Sequence, residues 1–242
     1  MKSIKFCFSV LLVLAALPSK SQNTFIPQWQ AWFRYFNQTQ LSEKFALHAE
    51  IDERRILNPS RQFQFFTHVH LHYRVKPWLD VAAGFNFNLT NSPLNPSLSV
   101  PELRPWQEAT LTKQFRKEIV FQFRYRLDER FIHNNDKQVL LDGYHFNWRH
   151  RFRIQFSKPM VQFNNDRNLT LKLSEEVMLN SGDVVRVFDQ NRIFASLEMR
   201  LNNHWSIESG YLNLIQQVTD DIFSERHVIR TTLYHRIGIR KN

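Results

Sequence analysis

The sequence predicts an all-β fold, an antiparallel up-and-down transmembrane β-barrel of about 10–12 strands. Apolar and polar residues alternate along nearly the whole chain after residue 21, and no amphipathic helix interrupts the alternation. A chain with 14% aromatic residues has enough apolar surface to fold, which excludes a disordered protein. The longest apolar stretch, Phe6 to Leu17, is too short for a membrane-spanning helix. A membrane protein with this composition would therefore cross the bilayer with strands.

Residues 1–21 have the pattern of a secretory signal peptide. Lys2 and Lys5 precede the apolar stretch, and the small residues Ser19 and Ser21 provide a cleavage site before Gln22. We therefore expect a secreted chain with one outer-membrane barrel domain over residues 22–242. The single cysteine of the chain lies inside the signal segment. The exported domain must then be stabilised by packing and strand pairing, without disulfides.

The clearest alternation lies between Gln62 and Lys76. The odd positions from Phe63 to Val75 are apolar except for one threonine, whereas the even positions are mostly Gln, His, Arg and Lys. Such a period of two is typical of a strand with one apolar face. Similar patterns predict eleven strands, over residues 29–38, 45–54, 62–76, 79–90, 102–113, 119–130, 144–155, 169–179, 192–201, 205–214 and 227–239.

The connectors between these strands largely alternate in length. Long connectors are predicted at 91–101, 132–138, 180–187 and 215–226, and one more, 157–168, falls among the short turns. Turns at one rim and loops at the other are typical of an up-and-down barrel, which in bacteria has an even number of strands. Eleven is an odd number, so two alternatives follow. Either an extra strand is hidden in 139–156 or 169–189, or the strand 29–38 lies outside the wall.

The polar face of the strands favours a membrane barrel over a soluble one. The chain has 21 Arg against 11 Lys, and the planar guanidinium suits a crowded lumen where carboxylates are paired bidentately. Trp and Tyr lie near predicted strand ends, where aromatic girdles would lie. These aromatic residues are Trp29, Trp32, Tyr35, Tyr73, Trp78, Trp106, Tyr144, Trp205 and Tyr211. A soluble secreted β-barrel that binds a small ligand is the alternative.

The inward polar residues are expected to form a network that fills a narrow lumen. Its predicted members are Glu50, Asp52, Arg54, His68, His70, Arg124, Arg126, Glu176, Arg192, Glu198 and Arg200. A second predicted cluster consists of Asp189, Gln190, Asn191 and Arg192, which either binds a solute carboxylate or phosphate or fixes the strand register.

Two further patterns indicate alternative functions, a metal site and an anion-binding surface. His68, His70 and His72 share one strand face beside Glu50 and Asp52, which could hold a divalent metal. Their spacing is open for a tight site, so we predict imidazole–carboxylate hydrogen bonds, no metal and no other cofactor. A second stripe contains Arg149, Arg151 and Arg153 beside Arg124, Arg126 and Arg130. It could attract anions or lipopolysaccharide phosphates, or pair with Glu176, Glu198 and Glu208.

The sequence contains no recognisable catalytic motif. Neither Gly-x-Ser-x-Gly nor His-Glu-x-x-His occurs, and five glycines offer no phosphate-binding loop. We therefore predict no catalytic residues and a structural or narrow-channel barrel. A lipid- or lipopolysaccharide-modifying barrel enzyme with a His–carboxylate site is the alternative. Nucleic acid is not an expected partner, because the positive charges alternate along strands instead of forming a patch.

Several short motifs resemble a known family. They are Glu102-x-Arg104-x-Trp106-Gln107, Arg124-x-Arg126-Leu127-x-Glu129-x-Phe131, Phe188-Asp189-Gln190-Asn191-Arg192 and Glu208-x-Gly210-Tyr211. With them the chain resembles uncharacterised Gram-negative outer-membrane β-barrel proteins, grouped as a domain of unknown function with the number 2490. The resemblance covers nearly all residues after 21 and implies a single barrel in the cell outer membrane without an established activity. We expect a monomer whose partners are outer-membrane lipids, lipopolysaccharide and the barrel-assembly machinery.

Overall fold

The computed structural model describes residues 24–115, 118–163 and 166–238, so the predicted signal peptide lies outside the described residues. Within these ranges eleven strands form one closed barrel, as the sequence predicts. The strands are β1 (Thr24–Gln40), β2 (Phe45–Leu57), β3 (Ser60–Lys76), β4 (Leu79–Asn91), β5 (Ser99–Phe115), β6 (Ile119–Asn135), β7 (Leu140–Gln162), β8 (Asn168–Ser181), β9 (Phe188–Arg200), β10 (Trp205–Gln217) and β11 (Ile222–Ile237). No helix in the described part of the chain is long and apolar enough to cross a membrane.

A parallel strand pair closes the barrel. Consecutive strands are antiparallel, but β1 and β11 run side by side in the same direction, with Thr24 opposite Ile222 and Thr39 opposite Ile237. Both strands begin at one rim, here called the N-terminal rim, and end at the other, the C-terminal rim. An odd number of wall strands becomes possible because the closing ladder is parallel.

The prediction of an even strand number was therefore wrong. β1 belongs to the wall, and in the described residues β7 and β8 each run without an internal turn. The predicted long connectors were also too long, because strands extend into each of them from one or both sides. Between the described strand ends the longest connector is 92–98, and β7 alone covers half of the predicted connector 157–168.

The strands are strongly tilted. Cross-strand partners followed once around the barrel from Gln40 lead back to β1 at Ile26, a displacement of 14 residues. With a rise of about 3.3 Å per residue and a strand spacing of about 4.8 Å, this corresponds to a tilt of about 40°. Eleven strands with this tilt enclose a wider lumen than the eight that just hold their own side chains.

The distribution of side chains is inverted relative to a soluble protein. Outward residues such as Phe33 and Ile193 are exposed by 54% and 56%, whereas the inward Asp128 has no exposed surface. In a soluble protein, charged side chains are almost never fully buried unless they are paired. The wall therefore presents its apolar face to the surroundings and its charges to the lumen.

Two of the predicted girdle residues lie inside the lumen. Trp32 and Trp106 are buried to 1% and 2% exposure, while Trp29 on the same strand as Trp32 is exposed by 53%. The girdle prediction was wrong for these two because it relied on their position near strand ends, whereas the alternation along the strand decides which face a side chain occupies. Trp32 lies two residues before the lumen residue Arg34 and therefore shares its face, whereas Trp29 lies three residues before Trp32 and faces outward.

Candidate functional site in the lumen

The lumen contains one large cavity of about 1350 Å³. Its lining includes Asn203 and Gly238 at the C-terminal rim and Ser92 and Val218 at the N-terminal rim. The lumen is thus lined by charged side chains without being filled by them, in contrast to the expected filled interior.

Cations outnumber carboxylates along this cavity. Among the described residues it is lined by 17 Arg and Lys side chains and by 7 Asp and Glu side chains. Three further carboxylates, from Asp128, Asp189 and Glu198, are paired with lumen cations from behind the cavity surface. An excess of seven positive charges remains when these three are included.

One carboxylate centre lies between β5 and β6. Glu102 accepts hydrogen bonds from Arg104 Nε at 3.0 Å and from Arg130 Nε at 2.6 Å. Asn88 Nδ2 on β4 donates to its second oxygen at 3.1 Å. This carboxylate therefore joins three strands by charge-assisted hydrogen bonds.

A second centre connects β6, β7 and β8. Glu176 accepts from Arg124 Nη2 at 2.5 Å and from Arg151 Nη2 at 2.9 Å, and Arg192 Nη1 lies 4.0 Å away. Three residues of the predicted network, Glu176, Arg124 and Arg192, meet here. Arg151 from the predicted cationic stripe joins them, so this part of the stripe faces the lumen and is paired.

A third centre lies towards the C-terminal rim on β8 to β11. Glu208 accepts from Lys172 Nζ at 2.8 Å and from Arg230 Nη2 at 3.1 Å. Glu198 is bound by the same Lys172 and accepts from Arg236 Nη2 at 2.7 Å. Arg200, the predicted neighbour of Glu198, lies apart from this centre and donates to Asn203 and Asn202 in a turn.

Aromatic rings lie against several lumen guanidinium groups, and the two closest tryptophan contacts involve Arg54 and Arg126. Arg54 lies 3.6 Å from the centroid of the Trp32 ring and donates to Asp52 at 3.1 Å. Arg126 lies 3.9 Å from the Trp106 centroid, and its Nε donates to Asp128 at 2.5 Å. Cation–π contacts stabilise a desolvated guanidinium. The sequence predicts both cations in the lumen, but it assigns their aromatic partners Trp32 and Trp106 to the outer girdles, which is wrong.

The predicted cluster on β9 is divided between the two faces. A bulge shifts the register between Met178 and Leu179 of β8, so both Asp189 and Gln190 turn inward. Asp189 pairs with Arg149 Nη2 at 2.8 Å. Gln190 accepts from Arg192 Nη2 at 2.7 Å. Asn191 instead donates to Glu175, which lies on the outward face of β8. The cluster therefore does not form one site.

Four arginines that line the cavity form no ion pair among the described residues, namely Arg61, Arg74, Arg153 and Arg226. Arg153 lies on β7 and its buried Nε has no hydrogen-bond partner. Arg226 on β11 donates to the amide oxygen of Gln216 at 2.8 Å and lies 5.0 Å from the Phe63 ring centroid. These cations provide part of the excess positive charge of the lumen.

The histidines occupy the wall where β2, β3 and β4 meet. Glu50 accepts from Arg34 Nη1 at 3.0 Å and lies 3.2 Å from His70 Nε2. His68 lies 2.7 Å from Asn86 and is separate from the other histidines of its strand. His48 was not among the predicted site residues, and the register places it directly opposite His70. Its alternation phase shows that it faces inward, but only the hairpin register shows which residue it meets.

A family comparison covers nearly all of this wall. The family model described as "Protein of unknown function (DUF2490)" matches residues 29–224, from β1 to the beginning of β11. The chain belongs to the DUF2490 family. This confirms the resemblance found in the sequence, and the family description assigns no activity.

Two solved structures are similar to this DUF2490 protein at low identity. The β domain of the Bordetella autotransporter BrkA has 5% identity and a TM-score of 0.46, covering 72% of this chain and 78% of that chain. LpxR from Salmonella typhimurium has 6% identity and a TM-score of 0.46, covering 78% of this chain and 83% of that chain. No curated protein sequence matches the chain.

Proposed function

We propose that the protein is an outer-membrane barrel whose lumen is a narrow, anion-selective passage for small solutes. The observation that supports this best is the excess of positive charge along a cavity whose lining includes residues of both rims. Small anions such as inorganic phosphate or short carboxylates fit the chemistry of this lining, because Arg binds both groups bidentately.

The outer face supports the membrane part of the proposal. The shortest strands have 13 residues, and with a tilt of about 40° each rises about 33 Å along the barrel axis. This exceeds the apolar band of about 25 Å in outer-membrane barrels. Large apolar side chains such as Phe33, Val69 and Leu197 face outward on well-separated strands and would contact lipid.

The charge distribution supports anion selectivity. A narrow passage with low-dielectric walls focuses the field of its charges, which raises the local concentration of counter-ions. Rings of Arg and Lys are the means by which known pores select anions and phosphate. Arg153 and Arg226 would act strongly on a mobile anion, since neither forms an ion pair with a carboxylate.

The test is the reversal potential of the purified protein in planar bilayers under a salt gradient. We expect anions to carry most of the current through protein extracted from the outer-membrane fraction. The double substitution Arg153→Glu and Arg226→Glu should lower the ratio of anion to cation permeability about tenfold or more.

The matched control is Arg55→Glu, which changes an arginine on the outward face of β2. It should leave the permeability ratio unchanged. A barrel that does not conduct, or one that prefers cations, would contradict the proposed passage. Recovery of the protein only in a soluble fraction would contradict the membrane location.

A further inference from the structure

Three histidines from two neighbouring strands meet at the lumen surface. His48 on β2 lies opposite His70 on β3, and His72 follows on the same face. One ring nitrogen from each histidine lies within 4.8 Å of the other two. His48 has a buried Nδ1 without a hydrogen-bond partner.

Carboxylates fix the orientation of two of these rings. His70 Nε2 lies 3.2 Å from Glu50 Oε1, and His72 Nδ1 lies 2.6 Å from Asp80 Oδ1. A carboxylate can only accept, so each histidine places a proton on the nitrogen that faces its carboxylate. In the neutral imidazoles the other nitrogens, His70 Nδ1 and His72 Nε2, then both carry lone pairs.

These two lone-pair nitrogens face each other at 2.9 Å. Two acceptors at this distance repel each other unless a cation lies between or beside them. A carboxylate that orients a histidine so that its free nitrogen points to a metal is the usual outer shell of a metal site. The cluster has this arrangement twice.

We propose that His48, His70 and His72 bind one Zn²⁺ ion, with Asp80 and Glu50 as the residues that orient two of the ligands. Zinc takes imidazole nitrogens at about 2.0–2.1 Å in a tetrahedral arrangement, which places neighbouring nitrogens about 3.3 Å apart. The pair at 2.9 Å needs to open by only a few tenths of an ångström. The His48 ring, which no carboxylate holds, rotates to complete the set.

Three carboxylates lie around the cluster in this part of the lumen, although Glu50 also pairs with Arg34 and Glu108 lies 3.7 Å from Arg124. Glu50 and Asp80 contact the ligands directly, and Glu108 faces the lumen from β5 at the level of His72, across Ala82 on β4. All three histidines line the cavity, so the fourth position of the metal is open to water or a small solute.

Packing holds His70 in place within this arrangement. Gly84 on β4 lies between His70 and Trp106 of the adjacent strands, and a Cβ at this glycine would lie 2.8 Å from Trp106 Cζ2 and from the Val69 carbonyl oxygen. Only glycine therefore lets the two large side chains meet across β4, with ring centroids 5.0 Å apart.

The test is a calorimetric titration of the folded, detergent-solubilised chain with Zn²⁺. We expect one ion per chain, and a loss of affinity of about 100-fold or more in His48→Ala and His72→Ala. Asp80→Asn should weaken binding by about 10–100-fold, as expected for an orienting residue. His68→Ala is the matched control on the same strand and lumen face, and it should bind Zn²⁺ like the unchanged protein.

A second measurement needs no substitution. Co²⁺ added to the unchanged protein should give the intense visible absorption of a tetrahedral site, and Zn²⁺ should displace it. Absence of Zn²⁺ binding, equal loss in His68→Ala, or an octahedral Co²⁺ spectrum would each overturn the proposal. Because binding is measured in detergent, these outcomes are independent of whether the lumen conducts.

Discussion

Replacing Glu102 with Ala should lower the free energy of unfolding by about 3–5 kcal/mol, because it leaves two buried guanidinium groups without their carboxylate. Arg104 and Arg130 both donate to Glu102, and all three side chains are at least 88% buried. Removing one partner of a buried ion pair costs more than the pair itself contributes, since the remaining charge keeps its desolvation penalty. Glu102→Gln should have an intermediate effect, because the amide oxygen still accepts hydrogen bonds.

The free energy of unfolding of the Glu102 variants is measured by urea unfolding of the barrel in detergent micelles, with tryptophan fluorescence as the signal. The control is Glu53→Ala, whose partner Arg55 is 45% exposed on the outward face. Exposed pairs contribute about 1 kcal/mol or less, so this control should change stability little. If the two substitutions had equal effects, the carboxylate centre of the lumen would not stabilise the fold.

Replacing Trp32 with Ala should also lower the free energy of unfolding by about 3–5 kcal/mol, because it removes a fully buried aromatic side chain. Trp32 packs in an apolar cluster with Phe194, Leu212, Leu214 and Val228 from strands β9, β10 and β11. It also covers the guanidinium of Arg54. The substitution therefore opens a cavity beside the closing strand pair and exposes a desolvated charge.

The same unfolding experiment measures the Trp32 effect. Trp29→Ala is the matched control, since Trp29 lies three residues earlier on β1 and faces outward. Its loss should cost clearly less in micelles, where detergent replaces the missing contacts. Equal costs for the two tryptophans would show that the apolar cluster inside the lumen contributes nothing beyond an outward aromatic residue.

The fold was predictable from the sequence because it depends on local alternation. The alternation between Gln62 and Lys76 assigns each side chain to the lumen or the outer face, and from Gln64 to Arg74 the structure has them in β3 with that assignment. Phe63 departs from it and lines the cavity beside the register shift at Arg54 and Arg55. The parallel closure of the wall was not predictable. Whether β1 pairs with β11 in parallel depends on contacts between the two ends of the wall, which no local pattern describes.

The lumen chemistry was predictable only in part. Glu176, Arg124 and Arg192 could be placed on the inward face, but their meeting depends on the registers of four strands. A single bulge turned Asp189 inward beside Gln190 and left Asn191 on the outer face. His48 was missed for the same reason, since a shift of two residues in the β2–β3 hairpin would place it opposite a different inward residue.

The central claim is that the apolar face of this barrel contacts lipid while the charged face lines an aqueous lumen. The most direct test uses nitroxide labels on single cysteines in lipid vesicles, with molecular oxygen as the lipid-soluble quencher and a nickel chelate as the water-soluble one. Suitable positions are the outward pair Val69→Cys and Phe85→Cys and the inward pair His68→Cys and Asn86→Cys, which are cross-strand partners on β3 and β4. The outward labels should collide mainly with oxygen, and the inward labels should not. Outward labels shielded from lipid, or no difference between the pairs, would contradict a membrane barrel with a charged lumen.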